Sequence, residues 1–71
     1  MPNKPEDIGT IVQRRRIELA LNQQDLAEMS DVTIKTLYAI ESNKGNPTIE
    51  VLQRVLDVLG LEIKIQIKSM E

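Results

Sequence analysis

Histidine, cysteine, phenylalanine and tryptophan are all absent from this sequence, and tyrosine occurs once, at Tyr38. Without histidine or cysteine, the commonest general base and the most nucleophilic side chain are missing, along with the usual imidazole and thiolate ligands of transition metals. The carboxylate pairs that remain, Asp25 with Glu28 and Glu50 with Asp57, have no base or metal companion in the pattern. An enzyme is therefore not expected, and neither is a metal or a cofactor. No disulfide can staple the chain, and a 71-residue chain makes one domain with a marginal core, so association with another chain is expected. No run approaches the roughly 18 apolar residues that cross a bilayer. The basic triplet Arg14-Arg15-Arg16 leads into Ile17-Glu18 rather than an apolar stretch, unlike a signal peptide. The expectation is a cytoplasmic protein without a membrane partner. Charge of one sign is also lacking: nine basic against eleven acidic residues leave −2. That total argues mildly against a polyanionic partner, although the placement of the charges matters more than their sum.

What is present is helical periodicity. The first five residues, with Pro2 and Pro5, read as a flexible lead. Pro5-Glu6-Asp7 suits a helix start, with acids at the positive end of the helix dipole. Ile8, Val12, Arg15/Arg16 and Leu19 recur at helical spacing, which predicts a first helix over about 6–20. Gly9 within it is either tolerated at a cost of about 1 kcal/mol or required by close packing against another helix. Asn22 can cap a short second helix, with Asp25 as its capping-box partner and Leu26, Ala27 and Met29 as its inner face. Thr33 can cap a third, over about 33–42, with Leu37 and Ile40 inward. The loop Asn43, Gly45, Asn46, Pro47 follows, rich in residues that tolerate left-handed or fixed backbone angles. Thr48 then caps a fourth helix that places Ile49, Leu52, Val55, Leu56 and Leu59 inside and stops at Gly60.

After Gly60 the period changes from helical to alternating. Leu61, Ile63, Ile65 and Ile67 are separated by Glu62, Lys64 and Gln66, with Lys68 following, which reads as a half-buried strand over 61–68 before a short tail, 69–71. A lone strand leaves its backbone groups unpaired and its isoleucine face uncovered. Two arrangements answer this: the same strand of a second copy, paired about a twofold axis to give a homodimer, or a tail lying on its own helices.

The run Leu21-Asn22-Gln23-Gln24-Asp25-Leu26-Ala27 resembles the pattern L-T/N-Q-x-x-L-A. It is followed at matching intervals by Val32-Thr33, Leu37, Ile40-Glu41 and Asn46-Pro47. Together these residues resemble the Xre-type, phage-repressor-like helix-turn-helix family, over about residues 8–60. Two positions depart from the family pattern, Asp31 and Asn43, where glycine is common. Both residue types enter the left-handed region more readily than most, so the turns can survive. The alternating segment behind the fourth helix further resembles the HipB-like antitoxins.

The resemblance implies an all-α fold: a four- to five-helix lambda-repressor-like DNA-binding domain over 6–60, with one C-terminal β-strand that pairs across a dimer. It implies that the third helix enters the major groove of double-stranded DNA, with Ile34, Lys35, Thr36, Tyr38 and Ala39 facing base edges. Tyr38 alternatively belongs to the core, and Lys35 to an ordinary solvated surface. Gln23 matches the family's phosphate-contacting glutamine. Lys44, Asn43 and Asn46 flank a second phosphate, and Arg14 either reaches the backbone or is simply solvated. Arg16 and Glu41 match a structural ion pair. The implied function is a repressor reading a palindromic operator, and the narrower likeness adds autoregulation and a HipA-like kinase toxin as partner. Against these stand a free-standing regulator without a toxin, and an interaction module that has lost DNA binding.

Overall fold

The computed structural model describes residues 6–68, and the expected lead 1–5 and tail 69–71 lie outside them. The described residues form four helices: α1 Ile8–Glu18, α2 Gln23–Ser30, α3 Ile34–Glu41 and α4 Ile49–Val58. α1 packs on α3, and α2 packs on both α3 and α4. The core is aliphatic: Val12, Leu26, Ala27, Leu37, Ile40, Leu52, Val55, Leu56 and Leu59.

Three helix starts follow from their capping residues. Asn22 accepts from the Asp25 amide at 2.7 Å while the Asp25 carboxylate accepts from the Asn22 amide at 3.3 Å, a complete capping box. Thr33 and Thr48 each accept from the amide three residues on, at 3.1 Å. α1 differs, because Asp7 makes no side-chain cap. Its Gly9 amide instead donates to Asn43 Oδ1 at 2.9 Å, from 34 residues away.

All four helices end alike. Ala20, Asp31, Asn43 and Gly60 each hold a left-handed φ between 57° and 72°. The next amide in each case donates back across the turn: Leu21 to Arg16, Val32 to Ala27, Lys44 to Ala39 and Leu61 to Leu56. This is the Schellman closure, which satisfies carbonyls that a helix end leaves free. Leu21, Val32 and Leu61 pack their side chains against the core, completing the motif. Arg15 adds a further tie, donating from Nε to the Leu59 carbonyl at 2.9 Å and joining α1 to the end of α4.

Four expectations need correction. α1 spans 8–18 rather than 6–20, because Ala20 turns left-handed and closes the helix early. Met29 is 59% exposed, since α2 buries Leu26, Ala27 and Ser30 and so turns Met29 off the inner stripe. Ile49 is 70% exposed as the first residue of α4, at the edge of that helix's buried face. Finally, 61–68 forms no β-strand among the described residues. One copy of the chain offers no second edge for a ladder, so beyond Leu61 the segment leaves the surface, with Ile65 97% and Ile67 95% exposed.

Candidate nucleic-acid interface

α2, the turn Asp31-Val32-Thr33 and α3 form the unit on which the candidate residues sit. On an α-helix at about 100° per residue, Lys35 and Ala39 lie opposite the stripe made by Leu37, Ile40 and Glu41, and that stripe is buried. Ile34, Lys35 and Tyr38 are exposed, while Thr36 and Ala39 are partly covered. Tyr38 is 61% exposed and so is not a core residue. The Thr33 hydroxyl donates to Thr36 Oγ1 at 2.9 Å. That bond fixes the Thr36 side chain and leaves its own hydroxyl hydrogen free to point outward.

Behind this face sits a buried ion pair. Arg16 Nε and Nη2 donate to the two Glu41 carboxylate oxygens at 2.7 and 3.0 Å, a two-pronged fork joining α1 to α3. The third guanidinium nitrogen, Nη1, donates to the Leu21 carbonyl at 2.8 Å, just before the α2 cap. Gln23 Nε2 donates to the same carboxylate at 3.2 Å. One charged cluster therefore locks α1, the start of α2 and the end of α3 together. Hydrogen bonding to Glu41 raises the Arg16 pKa above its ordinary value, against the opposing effect of burial. No buried side-chain nitrogen or oxygen among the described residues lacks a partner.

The other candidates are dispersed. Lys44 and Asn46 are exposed on the α3–α4 loop. Asn43 shares that loop, but its side chain turns inward to the Gly9 amide, with Nδ2 3.4 Å from Thr10 Oγ1. Its Oδ1 is thereby committed, leaving the backbone and the second Nδ2 hydrogen to face a ligand. Arg14 is held by Glu6 through two bonds of 2.6 and 3.0 Å. The bond to Arg14 lowers the Glu6 pKa, and the same bond raises that of Arg14.

Lys44 stands out among its equivalents. It occupies the position just past the left-handed residue where the other three helices place Leu21, Val32 and Leu61. Those side chains cover the core; Lys44 extends into solvent.

Reading the chain alone missed the Glu6 hold on Arg14, the Asn43 cap and the left-handed Ala20. Gly9 and Asn43 each carried a visible signal, a glycine inside a helix and an asparagine where glycine is common. Nothing in the sequence connected them. Ala20 carried none. Among the described residues no group of three or more acidic side chains could hold a metal ion, and no helix is long and apolar enough to cross a membrane.

A family model described as helix-turn-helix matches residues 12–65. An uncharacterized HTH-type transcriptional regulator of Methanothermobacter thermautotrophicus is 36% identical over 53 residues, 75% of this chain and 77% of that protein. Putative HTH-type transcriptional regulatory proteins of Methanococcus maripaludis are 33% identical over 55 residues, and there the match spans only 17% of the relative. Among solved structures, SinR, the master regulator for biofilm formation, in complex with DNA, superposes with a TM-score of 0.72 at 34% identity. That match covers 78% of this chain and 89% of the SinR chain.

Proposed function

Because the chain belongs to the helix-turn-helix family, we propose that it is a transcriptional repressor that binds a palindromic operator in double-stranded DNA as a homodimer, in the cytoplasm. The observation that carries the reading is the outer face of α3. Lys35, Ile34 and Tyr38 stand free on a short helix whose two ends are capped and whose inner face is pinned by the Arg16–Glu41 fork. A side chain reads a base edge only when its backbone cannot move away, and this cluster supplies that rigidity.

In this docking Lys35 donates to guanine O6 and N7, and Ile34 meets a thymine methyl. Thr36 reaches a base edge or phosphate, and Tyr38 and Ala39 line the groove. Gln23, at the first position of α2, presents its second amide hydrogen to a phosphate beside the helix N-terminus. Lys44 and the backbone of Asn43 to Asn46 hold a second phosphate. Arg14 joins only by releasing Glu6. The two half-sites lie about one helical turn, or a small multiple of it, apart.

Electrophoretic mobility shift against the region upstream of the gene, over a salt series, tests this. With Lys44 and Arg14 of both copies on phosphates, log affinity falls against log salt with a slope of about −4. Lys35→Ala relaxes base preference, while Gln23→Ala and Lys44→Ala weaken every duplex alike. Retardation by no duplex at any salt concentration sinks the reading and leaves an interaction module on the same fold.

The alternating segment 61–68 also supports a narrower reading, an antitoxin that represses its own operon and binds a HipA-like kinase toxin. A kinase-fold protein encoded beside this gene and co-purifying with the chain tests it. Without such a neighbour the protein is a free-standing regulator.

A further inference from the structure

The segment after α4 carries an apolar face with no cover. Leu61 is half-buried against the core, Ile63 is partly exposed, and Ile65 and Ile67 stand almost wholly in solvent. On an extended backbone these four alternating residues share one face, which begins at Leu61 on the helical body and runs outward from it. Resting on the homodimer reading above, we propose that its occupant is the same segment of a second copy, antiparallel, in a single register centred on Ile65.

The register follows from the order of the side chains. In an antiparallel pair about a twofold axis, residues directly opposite have numbers with a constant sum, and they lie on the same face. An odd sum sets isoleucine against lysine, glutamine or glutamate and destroys the apolar face. Among even sums, 128 brings Lys64 against Lys64, and 132 brings Lys64 against Lys68. A sum of 126 leaves Ile67 facing Leu59, which is buried in the helical body. A sum of 130 has none of these faults. It opposes Ile65 to Ile65 and Ile63 to Ile67 on the apolar face, and Lys64 to Gln66 on the polar one. It also sets Glu62 against Lys68 twice, once on each side of the axis. In the single chain, Glu62 has only the exposed Lys64, at 3.7 Å, as an ion partner among the described residues. Residues 62–68 of both copies are then paired throughout. A two-stranded ribbon is marginal alone, so the isoleucine face must also lie on the helical bodies, as Leu61 already does.

The chain has no cysteine, so one introduced thiol reports the register directly. A residue opposite itself on the axis has its two Cα atoms roughly 4.5–5.5 Å apart, within disulfide reach. Residue 63 and its own copy are offset by four positions, about 13 Å along the strand, and cannot bridge. Ile65→Cys therefore forms a covalent dimer under mild oxidation, at least about tenfold faster than Ile63→Cys or Ile67→Cys alone. Those two variants mixed give the crossed heterodimer. Lys68→Glu, which opposes two carboxylates, weakens the dimer about tenfold in sedimentation equilibrium, and adding Glu62→Lys restores it. A dimer in sedimentation without preferential Ile65→Cys bridging overturns the register while the homodimer stands. A monomer at every concentration overturns both. DNA binding is scored separately by mobility shift, so a dimer with this register that retards no duplex supports the register and defeats only the DNA reading.

Discussion

Gly9→Ala offers the sharpest test of the fold, because two rules give opposite signs. Helix propensity alone says alanine should stabilise α1, by at most about 1 kcal/mol. The packing says otherwise. A Cβ at this position would sit 2.0 Å from the Ile40 carbonyl oxygen and 2.5 Å from Asn43 Oδ1. The first is backbone inside α3, so it cannot swing aside; reaching ordinary contact requires α1 and α3 to separate by more than an ångström. Overpacking of this kind costs about 1–3 kcal/mol, and the hydrogen bond from the Gly9 amide to Asn43, which caps α1, adds roughly 1 kcal/mol more. Set against the propensity gain, the net destabilisation is about 1–3 kcal/mol. For a domain of this size that lowers the melting temperature by roughly 5–20 °C. Thermal and urea melts followed by circular dichroism measure it, with Gln13→Ala as a control at an exposed position of the same helix. A Gly9→Ala protein as stable as the native one would refute the close approach of α1 to α3 and the tertiary cap with it.

The remaining predictions concern charge and helix ends. Removing one member of the buried pair, as in Arg16→Met or Glu41→Leu, should cost about 3–5 kcal/mol, whereas the double substitution should return to within about 1 kcal/mol of the native protein; denaturant melts of all three check the pattern. Ala20→Gly should stabilise by roughly 0.5–1 kcal/mol, because relief of the left-handed alanine exceeds the extra chain entropy of glycine, and a fall in stability would count against that turn. The Glu6 carboxyl is depressed by Arg14, so its contribution is present above the ordinary carboxylate range and is lost as the pH falls through the lowered value; carbon-detected NMR titration of Glu6 should show the shift, and Arg14→Gln should abolish it. Lys44→Leu should raise the melting temperature by a few degrees, equivalent to roughly 0.5–1 kcal/mol, while weakening DNA binding regardless of sequence; melts and mobility shifts on one preparation test both halves.

The helices were legible wherever the signal was local. Asn22, Thr33 and Thr48 announce their helices because a capping side chain acts three residues away. The spacing of Leu26, Leu37, Ile40, Leu52, Val55 and Leu56 identifies the core because one helix face repeats at 3.6 residues. Contacts between distant segments were not legible from periodicity. Asn43 over Gly9 spans 34 residues and Arg15 on the Leu59 carbonyl spans 44. The Arg16–Glu41 fork spans 25, and only a family likeness suggested it. Met29 and Ile49 failed for a different reason: an apolar residue at a stripe's margin scores as inside although the helix turns it out.

The same division of local and distant signals explains why Lys44 is informative. Four helices solve one problem, the unsatisfied carbonyls of a C-terminus, with one backbone geometry, and three complete it with an apolar side chain on the core. Asp31 and Asn43 keep that geometry without glycine, so the departures from the common pattern do not break the turns. Lys44 alone forgoes the apolar contact. A position where three equivalents serve packing and the fourth carries an exposed cation has given up local stability, and such exceptions concentrate where a surface has work to do. Lys44 shares its loop with Asn46, directly after α3 and ahead of Pro47, where a strand of nucleic acid lying along α3 would pass. In the proposed docking that charge meets an operator phosphate, a contact made only in the complex.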